Sequence, residues 1–125
     1  EFGVLSNRVR RKLRKTKVMM SNSSIEILKQ EYKSIYNMYL KLSEKDKRNF
    51  YTNVNRLRGK IEEQLKAEKI VEELFGDSHK GDLHTQKKNY LNIYREYQKL
   101  APKSQEKFYP KLVALKESLD HGKLV

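Results

Sequence analysis

The feature that most constrains this chain is an internal repeat. Shifted by 58 positions, residues 32–61 align with residues 90–119, and ten of the thirty aligned pairs are identical. All eight tyrosines of the chain fall into four matched pairs. Such a match seldom arises by chance, so we interpret it as a duplication and expect two copies of one structural unit.

Each copy predicts two helices. Apolar side chains recur at steps of three and four, which places them along one face of a helix. In the first copy the two stripes comprise Leu28, Tyr32, Ile35, Tyr36, Tyr39 and Leu42, then Phe50, Val54, Leu57, Ile61 and Leu65. Ser23 with Glu26 predicts a capping box for the first helix. Ser43 with Asp46, and Pro102 in the second copy, are typical of the start of the next helix.

The corner between the two helices carries a recurrent Phe-Tyr pair. Adjacent positions on a helix point about 100° apart. We therefore expect Phe50 and Phe108 to face the interior, and Tyr51 and Tyr109 to be partly exposed. Pro110 does not suit the interior of a helix, so the last helix is expected to kink there or to begin there.

These patterns predict an all-α fold, an antiparallel four-helix bundle built from two duplicated helical hairpins. We expect the first hairpin over residues 23–75, with an extended second helix. Residues 76–82 contain two glycines and no apolar side chain, and are expected to form a linker. The second hairpin is expected over residues 83–122. Residues 1–22 form a basic N-terminal arm, flexible or helical.

The extended helix of the first hairpin continues beyond the repeat match. Its apolar stripe there shifts in phase to Ala67, Ile70, Val71, Leu74 and Phe75. A shifted stripe needs its own partner, either another part of this chain or another chain. Ile70, Val71, Leu74 and Phe75 are therefore predicted to be a partner-binding site.

Basic residues are concentrated near the start of the chain. Lys and Arg number 28 against 16 Asp and Glu, for a formal charge of +12. The densest run comprises Arg8, Arg10, Arg11, Lys12, Arg14, Lys15 and Lys17. Such a run attracts the phosphates of nucleic acid or anionic lipid heads. There are two alternatives. The basic run could dock on the acidic segment 62–77 or on a partner, or it could be solvated or lie next to a membrane.

The tyrosines allow two interpretations. With the basic neighbours Lys29, Lys33, Lys87 and Arg95, they could form an aromatic platform for bases or peptides. Alternatively they pack at the interior or boundary of the bundle and keep their hydroxyls in water. Because a duplicated interface would reuse the same packing residues, the recurrence favours the packing role.

Several classes of site are not indicated. The chain has no Cys, which excludes disulfides and thiolate metal sites. His79, His84 and His121 match no standard zinc spacing, and no catalytic motif is present. We therefore expect a non-enzymatic protein with no cofactor and no metal. No apolar run approaches the roughly 20 residues that span a bilayer.

The segments IYNMYLKLSEKDKRNFYTNV (35–54) and IYREYQKLAPKSQEKFYPKL (93–112) resemble helical hairpins of small archaeal proteins whose function is uncharacterised. In those proteins the helices meet at a Leu-(Ser/Pro)-charged-Phe-Tyr corner. The tyrosine-rich hairpins are also similar to microtubule-interacting-and-transport domains, which present a groove to partner helices. Both resemblances imply a helical architecture, and neither implies a particular activity. The predicted four helices depart from the three of that domain, so its groove residues are not carried over.

We therefore expect a non-enzymatic binding module that engages nucleic acid electrostatically, through the arm and basic helical faces. The alternative is a protein–protein adaptor or a self-assembling structural protein. Because the chain begins without Met, it could also be the cytosolic part of a membrane-anchored protein. A cytoplasmic location is expected, with the inner face of a membrane as the alternative.

Overall fold

The computed structural model describes residues 3–122, which form an all-α structure. Within that range there are five helices and no strand. They are α1 (Val4–Met19), α2 (Ile25–Leu40), α3 (Glu44–Gly76), α4 (Leu83–Gln98) and α5 (Pro102–Gly122). The all-α prediction is confirmed. Glu1 and Phe2, the first two residues of the predicted arm, lie outside the described residues.

The chain divides into two compact units. The first is Glu1–Glu63 and the second is Gln64–Val125. The first unit contains α1, α2 and the first part of α3; the second contains the rest of α3 with α4 and α5. The described residues thus hold five helices where the repeat predicts a bundle of four. The difference arises because α1, predicted as an arm, belongs to the packed structure.

The core of the first unit includes side chains of all three of its helices. Val9 of α1, and Leu28 and Ile35 of α2, are completely buried. The first part of α3 adds the buried residues Phe50, Val54, Leu57 and Ile61. Thr16 of α1 is also completely buried, and its hydroxyl donates to the Lys12 carbonyl at 2.8 Å. The burial of Val9 and Thr16 fixes which face of α1 turns inward.

The core of the second unit forms two adjoining clusters. One comprises Ile93, Leu112, Leu115 and Leu119, and the other Val71, Leu100 and Phe108. The shifted stripe of α3 therefore finds its partner inside the chain. Val71 is completely buried, Leu74 and Phe75 pack against these clusters, and Ile70 stays 45% exposed. Of the four residues predicted to bind a partner, only Ile70 is largely accessible.

Helix starts follow local hydrogen bonding. Ser24, one residue after the predicted cap, accepts from the Ile27 N–H at 3.4 Å. Ser43 accepts from the Asp46 N–H at 3.2 Å, as the sequence indicates. At the start of α4, Asp82 accepts from the Thr85 N–H at 2.8 Å, and this bond lowers the pKa of the Asp82 carboxyl.

The recurrent corner has the predicted orientation. Phe50 and Phe108 are 5% and 1% exposed, whereas Tyr51 and Tyr109 are both 57% exposed. Pro102 opens α5, which suits its fixed φ. The helix runs through Pro110, so the alternative in which it begins at Pro110 is wrong.

None of the helices within residues 3–122 combines the length and the apolar character needed to cross a lipid bilayer.

Candidate functional site

The first unit contains a groove between α1 and the first part of α3. Its cavity volume is about 340 Å³. Ten residues line it: Arg10, Leu13, Arg14, Lys17, Met20, Phe50, Asn53, Arg56, Leu57 and Lys60. We call this surface the basic groove. A cavity of this size accommodates part of a chain or a small molecule.

Five of the lining residues are cations. Arg10, Arg14 and Lys17 come from α1, at steps of four and three that place them on one face. Arg56 and Lys60 come from α3, one turn apart. None of the ten residues lining this cavity in the described structure is acidic. The groove is therefore an electropositive cleft that attracts anions.

Apolar side chains form the inner surface of the groove. Phe50 and Leu57 are buried core residues of α3, and Leu13 and Met20 are partly exposed. The guanidinium of Arg10 lies 5.6 Å from the centre of the Phe50 ring, within reach of a cation–π contact. The packed core thus holds the charged rim in place, because the cations extend from helices fixed by buried neighbours.

The groove brings together three of the seven cations predicted as a nucleic-acid site. Arg10, Arg14 and Lys17 line the groove, and Arg8, Arg11 and Lys15 are exposed elsewhere on α1. Lys12 instead faces α2. Its ammonium donates to Ser34 Oγ at 3.0 Å and lies 3.5 Å from a carboxylate oxygen of Glu31. Intramolecular docking of this run therefore occurs, at Glu31 rather than at the predicted acidic segment 62–77.

Arg56 and Lys60 were missed by the sequence reasoning. Their signal was the spacing Asn53, Arg56, Lys60, which places three polar side chains on one face of α3 beside the buried stripe. Arg58, two residues after Arg56, is not a lining residue. Its guanidinium donates to Glu62 at 3.0 Å, and this bond raises the pKa of Arg58.

The second unit has a groove in the matching place, between the last part of α3 with the residues after it and α5. It is lined by Glu72, Phe75, Gly76, Ser78, His79, Lys111, Ala114, Leu115 and Ser118. Its cavity volume is about 440 Å³. We call it the second groove. It has one lysine and one glutamate, whereas the basic groove has five cations. A groove of this kind can therefore form without a concentration of positive charge.

Two further acidic residues of α3, Glu68 and Glu72, contact side chains of α5. Glu68 is 6% exposed; one carboxylate oxygen accepts from the Ser104 hydroxyl and the other lies 3.0 Å from Lys107 Nζ. Glu72 lies 4.0 Å from the same ammonium. Within residues 3–122 no cluster of three or more histidine or acidic side chains is arranged to hold a metal ion.

Comparison of the chain with protein-family models, with curated proteins and with solved structures gives no match.

Proposed function

We propose that this chain binds nucleic acid, without catalysing a reaction, through the basic groove of its first unit. The observation that carries the proposal is the convergence of five cations from two helices on one cleft with no acidic lining residue. Arg and Lys are the side chains that proteins use to neutralise nucleic-acid phosphates. Arg8, Arg11 and Lys15, exposed on the rest of α1, extend the positive surface.

The composition of the groove supports a contact with the sugar–phosphate backbone. Guanidinium groups bind phosphate oxygens in a bidentate way, and three of the five cations are arginines. Asn53 is the single uncharged polar side chain among the lining residues. Phosphate contacts position a protein on nucleic acid and carry no sequence information. Binding is therefore expected to be weakly sequence-selective and strongly dependent on salt.

Two observations favour nucleic acid over membrane contact through α1 and over partner binding through the shifted stripe of α3. Val9 and Thr16 of α1 are completely buried in the core, so this face of α1 is not available to a membrane, and the apolar side chains that α1 exposes include Val4 and Val18. The predicted partner-binding stripe is largely used within the second unit, where Val71 has no exposed surface.

Neutral substitutions in the groove test the proposal. The variant Arg14→Gln with Arg56→Gln removes one cation from each helix of the groove. Binding of labelled single-stranded and duplex oligonucleotides is measured by fluorescence anisotropy from low to moderate salt. Each phosphate contact contributes about 0.9 units to the slope of log K against log salt for duplex, and about 0.7 for single strands. We expect the slope to fall by about one to two units.

The matched control is Lys88→Gln with Lys116→Gln, which removes the same charge from exposed positions of the second unit. We expect the control to keep the slope of the unaltered protein. Equal losses in both variants would show that total charge, and not the groove, determines binding. Absence of any salt-dependent binding by the unaltered protein would refute the proposal.

A further inference from the structure

Each unit has a series of three tyrosines with near-parallel rings. In α2, the ring centres of Tyr32 and Tyr36 lie 6.0 Å apart, and those of Tyr36 and Tyr39 lie 6.1 Å apart. In α4, the corresponding distances among Tyr90, Tyr94 and Tyr97 are 6.3 and 6.4 Å. The angles between adjacent rings range from 19° to 27°. We call these two series the tyrosine ladders.

The outer and middle rings of each ladder differ in exposure. Tyr90 and Tyr97 pack against the core cluster around Ile93, and burial raises the pKa of the Tyr97 hydroxyl. Burial likewise raises the pKa of Tyr32 in the first ladder. The middle rings, Tyr36 and Tyr94, are both 41% exposed. The outer rings therefore anchor each ladder, and the middle ring presents aromatic surface to solvent.

Packing accounts for the partly buried outer rings of each ladder and leaves the middle ring exposed. Tyr90 and Tyr97 pack beside the completely buried Ile93, and Ile35 is completely buried at the matching place in the first unit. None of the eight tyrosines, all within the described residues, is fully buried. The middle ring stacks on both of its neighbours and leaves the same fraction of its surface, 41%, exposed in both units. The arrangement therefore offers a ligand an exposed aromatic surface in each unit.

Positive charge flanks both ladders. Lys29 and Lys87 stand three residues before the first tyrosine, one helical turn away on the same side. Lys41 and Lys99 follow two residues after the last. Aromatic rings bordered by cations suit a ligand with flat aromatic groups on a polyanionic chain.

We propose that the tyrosine ladders stack on unpaired bases, so that the nucleic acid bound by this chain is single-stranded. This inference rests on the proposed function of the basic groove. Bases in a duplex are stacked on each other and do not offer their faces to a protein, whereas the bases of a single strand do. Every base has a π face, so stacking of this kind is tolerant of sequence.

The test uses a fluorescein-labelled oligothymidylate of about 12 nucleotides, within the usual site size for such proteins. A strand of equal length without bases keeps the phosphates and removes the stacking partners. The variant Tyr36→Leu with Tyr94→Leu replaces the middle ring of each ladder by an apolar, helix-favouring side chain. Tyr51→Leu is the control, because Tyr51 is exposed but lies outside the ladders. Circular dichroism and thermal melts verify that each variant is folded.

We expect the unaltered protein to bind the thymidylate at least about tenfold more tightly than the abasic strand. The ladder variant should lose that preference and bind both strands equally, whereas Tyr51→Leu should retain it. Because the chain has eight Tyr and no Trp, its intrinsic fluorescence is tyrosine fluorescence, and stacking should quench it less in the ladder variant.

Two results would overturn the inference and leave the proposed function intact. The first is equal binding of both strands by the unaltered protein, and the second is an unchanged preference in the ladder variant. In both cases the groove variant Arg14→Gln with Arg56→Gln would still weaken binding. Failure of the unaltered protein to bind either strand would overturn the inference together with the proposed function.

Discussion

Single side chains distinguish the two grooves. Where α3 places Arg56 and Lys60 in the basic groove, α5 has Ala114 and Ser118 in the second groove, 58 positions later. The apolar side chains are similar in kind, with Leu57 in one groove and Leu115 in the other. The apolar residues that pack the two grooves are thus similar, whereas the charged residues that line them differ.

The buried carboxylate of Glu68 is expected to stabilise the second unit. It accepts from Ser104 in the first turn of α5, where the helix dipole favours negative charge, and it pairs with Lys107. Glu68→Ala leaves the Ser104 hydroxyl without this acceptor and should lower the free energy of unfolding by about 2 kcal/mol. Urea denaturation followed by circular dichroism measures the change. Glu73→Ala, at an exposed position of the same helix, should change it by less than about 0.5 kcal/mol; equal effects would contradict this role of Glu68.

Gly81 is required by the backbone before α4. Its φ is +86°, and a Cβ there would lie 2.9 Å from the methyl carbon of Thr85. Gly81→Ala should therefore lower the free energy of unfolding by about 1–2 kcal/mol. Gly59, within α3, has no atom within 4 Å of an added Cβ. Gly59→Ala should raise stability by about 0.5–1 kcal/mol, and a loss at Gly59 as large as that at Gly81 would contradict the argument.

At the scale of the helices, α3 positions the cations of the basic groove. The helix α3 has 33 residues, about 50 Å at 1.5 Å per residue, and it contributes to the cores of both units. Its first part carries Arg56 and Lys60 beside the buried stripe that includes Leu57. Because that stripe is packed, the two cations are held on the flank that faces α1.

If the positive charge of the groove determines binding, adding cations to the second groove should allow it to bind nucleic acid as well. Ala114→Arg with Ser118→Lys places two cations on the flank of α5 that lines it. We expect the slope of log K against log salt to steepen by one to two units. The control, Gln98→Arg with His121→Lys, adds the same charge at exposed positions outside both grooves and should change the slope less. Equal changes would show that any added cation suffices.

The sequence predicted those elements whose apolar stripes are strong. The core residues Ile35, Phe50 and Phe108 and the exposure of Tyr51 and Tyr109 followed from helical periodicity. The basic groove did not follow, because it joins residues of α1 to residues of α3 that lie more than 30 positions later. Which flank of α1 faces α3 depends on the burial of Val9 and Thr16, and no local pattern in such a basic helix indicates that burial.

The role of the shifted stripe was equally undetermined by local pattern. The spacing of Val71, Leu74 and Phe75 shows that they need an apolar partner, but it does not say whether that partner is intramolecular. The stacked rings of Phe75 and Phe108, with centres 6.2 Å apart, show the partner in α5. Long-range packing of this kind is decided by the tertiary structure.

Across the whole molecule, charge is unevenly divided between the units. The first unit has 16 basic and 7 acidic residues, a net charge of +9, and the second has 12 and 9, a net charge of +3. The basic groove lies in the more positive unit. A field of this sign attracts polyanions over a range set by ionic strength, and the groove gives the contact a defined place.

The most direct test of the groove is a nuclear magnetic resonance titration of the ¹⁵N-labelled protein with a single-stranded oligonucleotide. Arginine side-chain and backbone amide signals report where the ligand contacts the protein. We expect the largest shifts at Arg10, Arg14, Arg56 and Lys60, diminishing as salt is added, with smaller shifts along the second groove. Unchanged signals at those four residues while the oligonucleotide binds elsewhere would contradict this expectation.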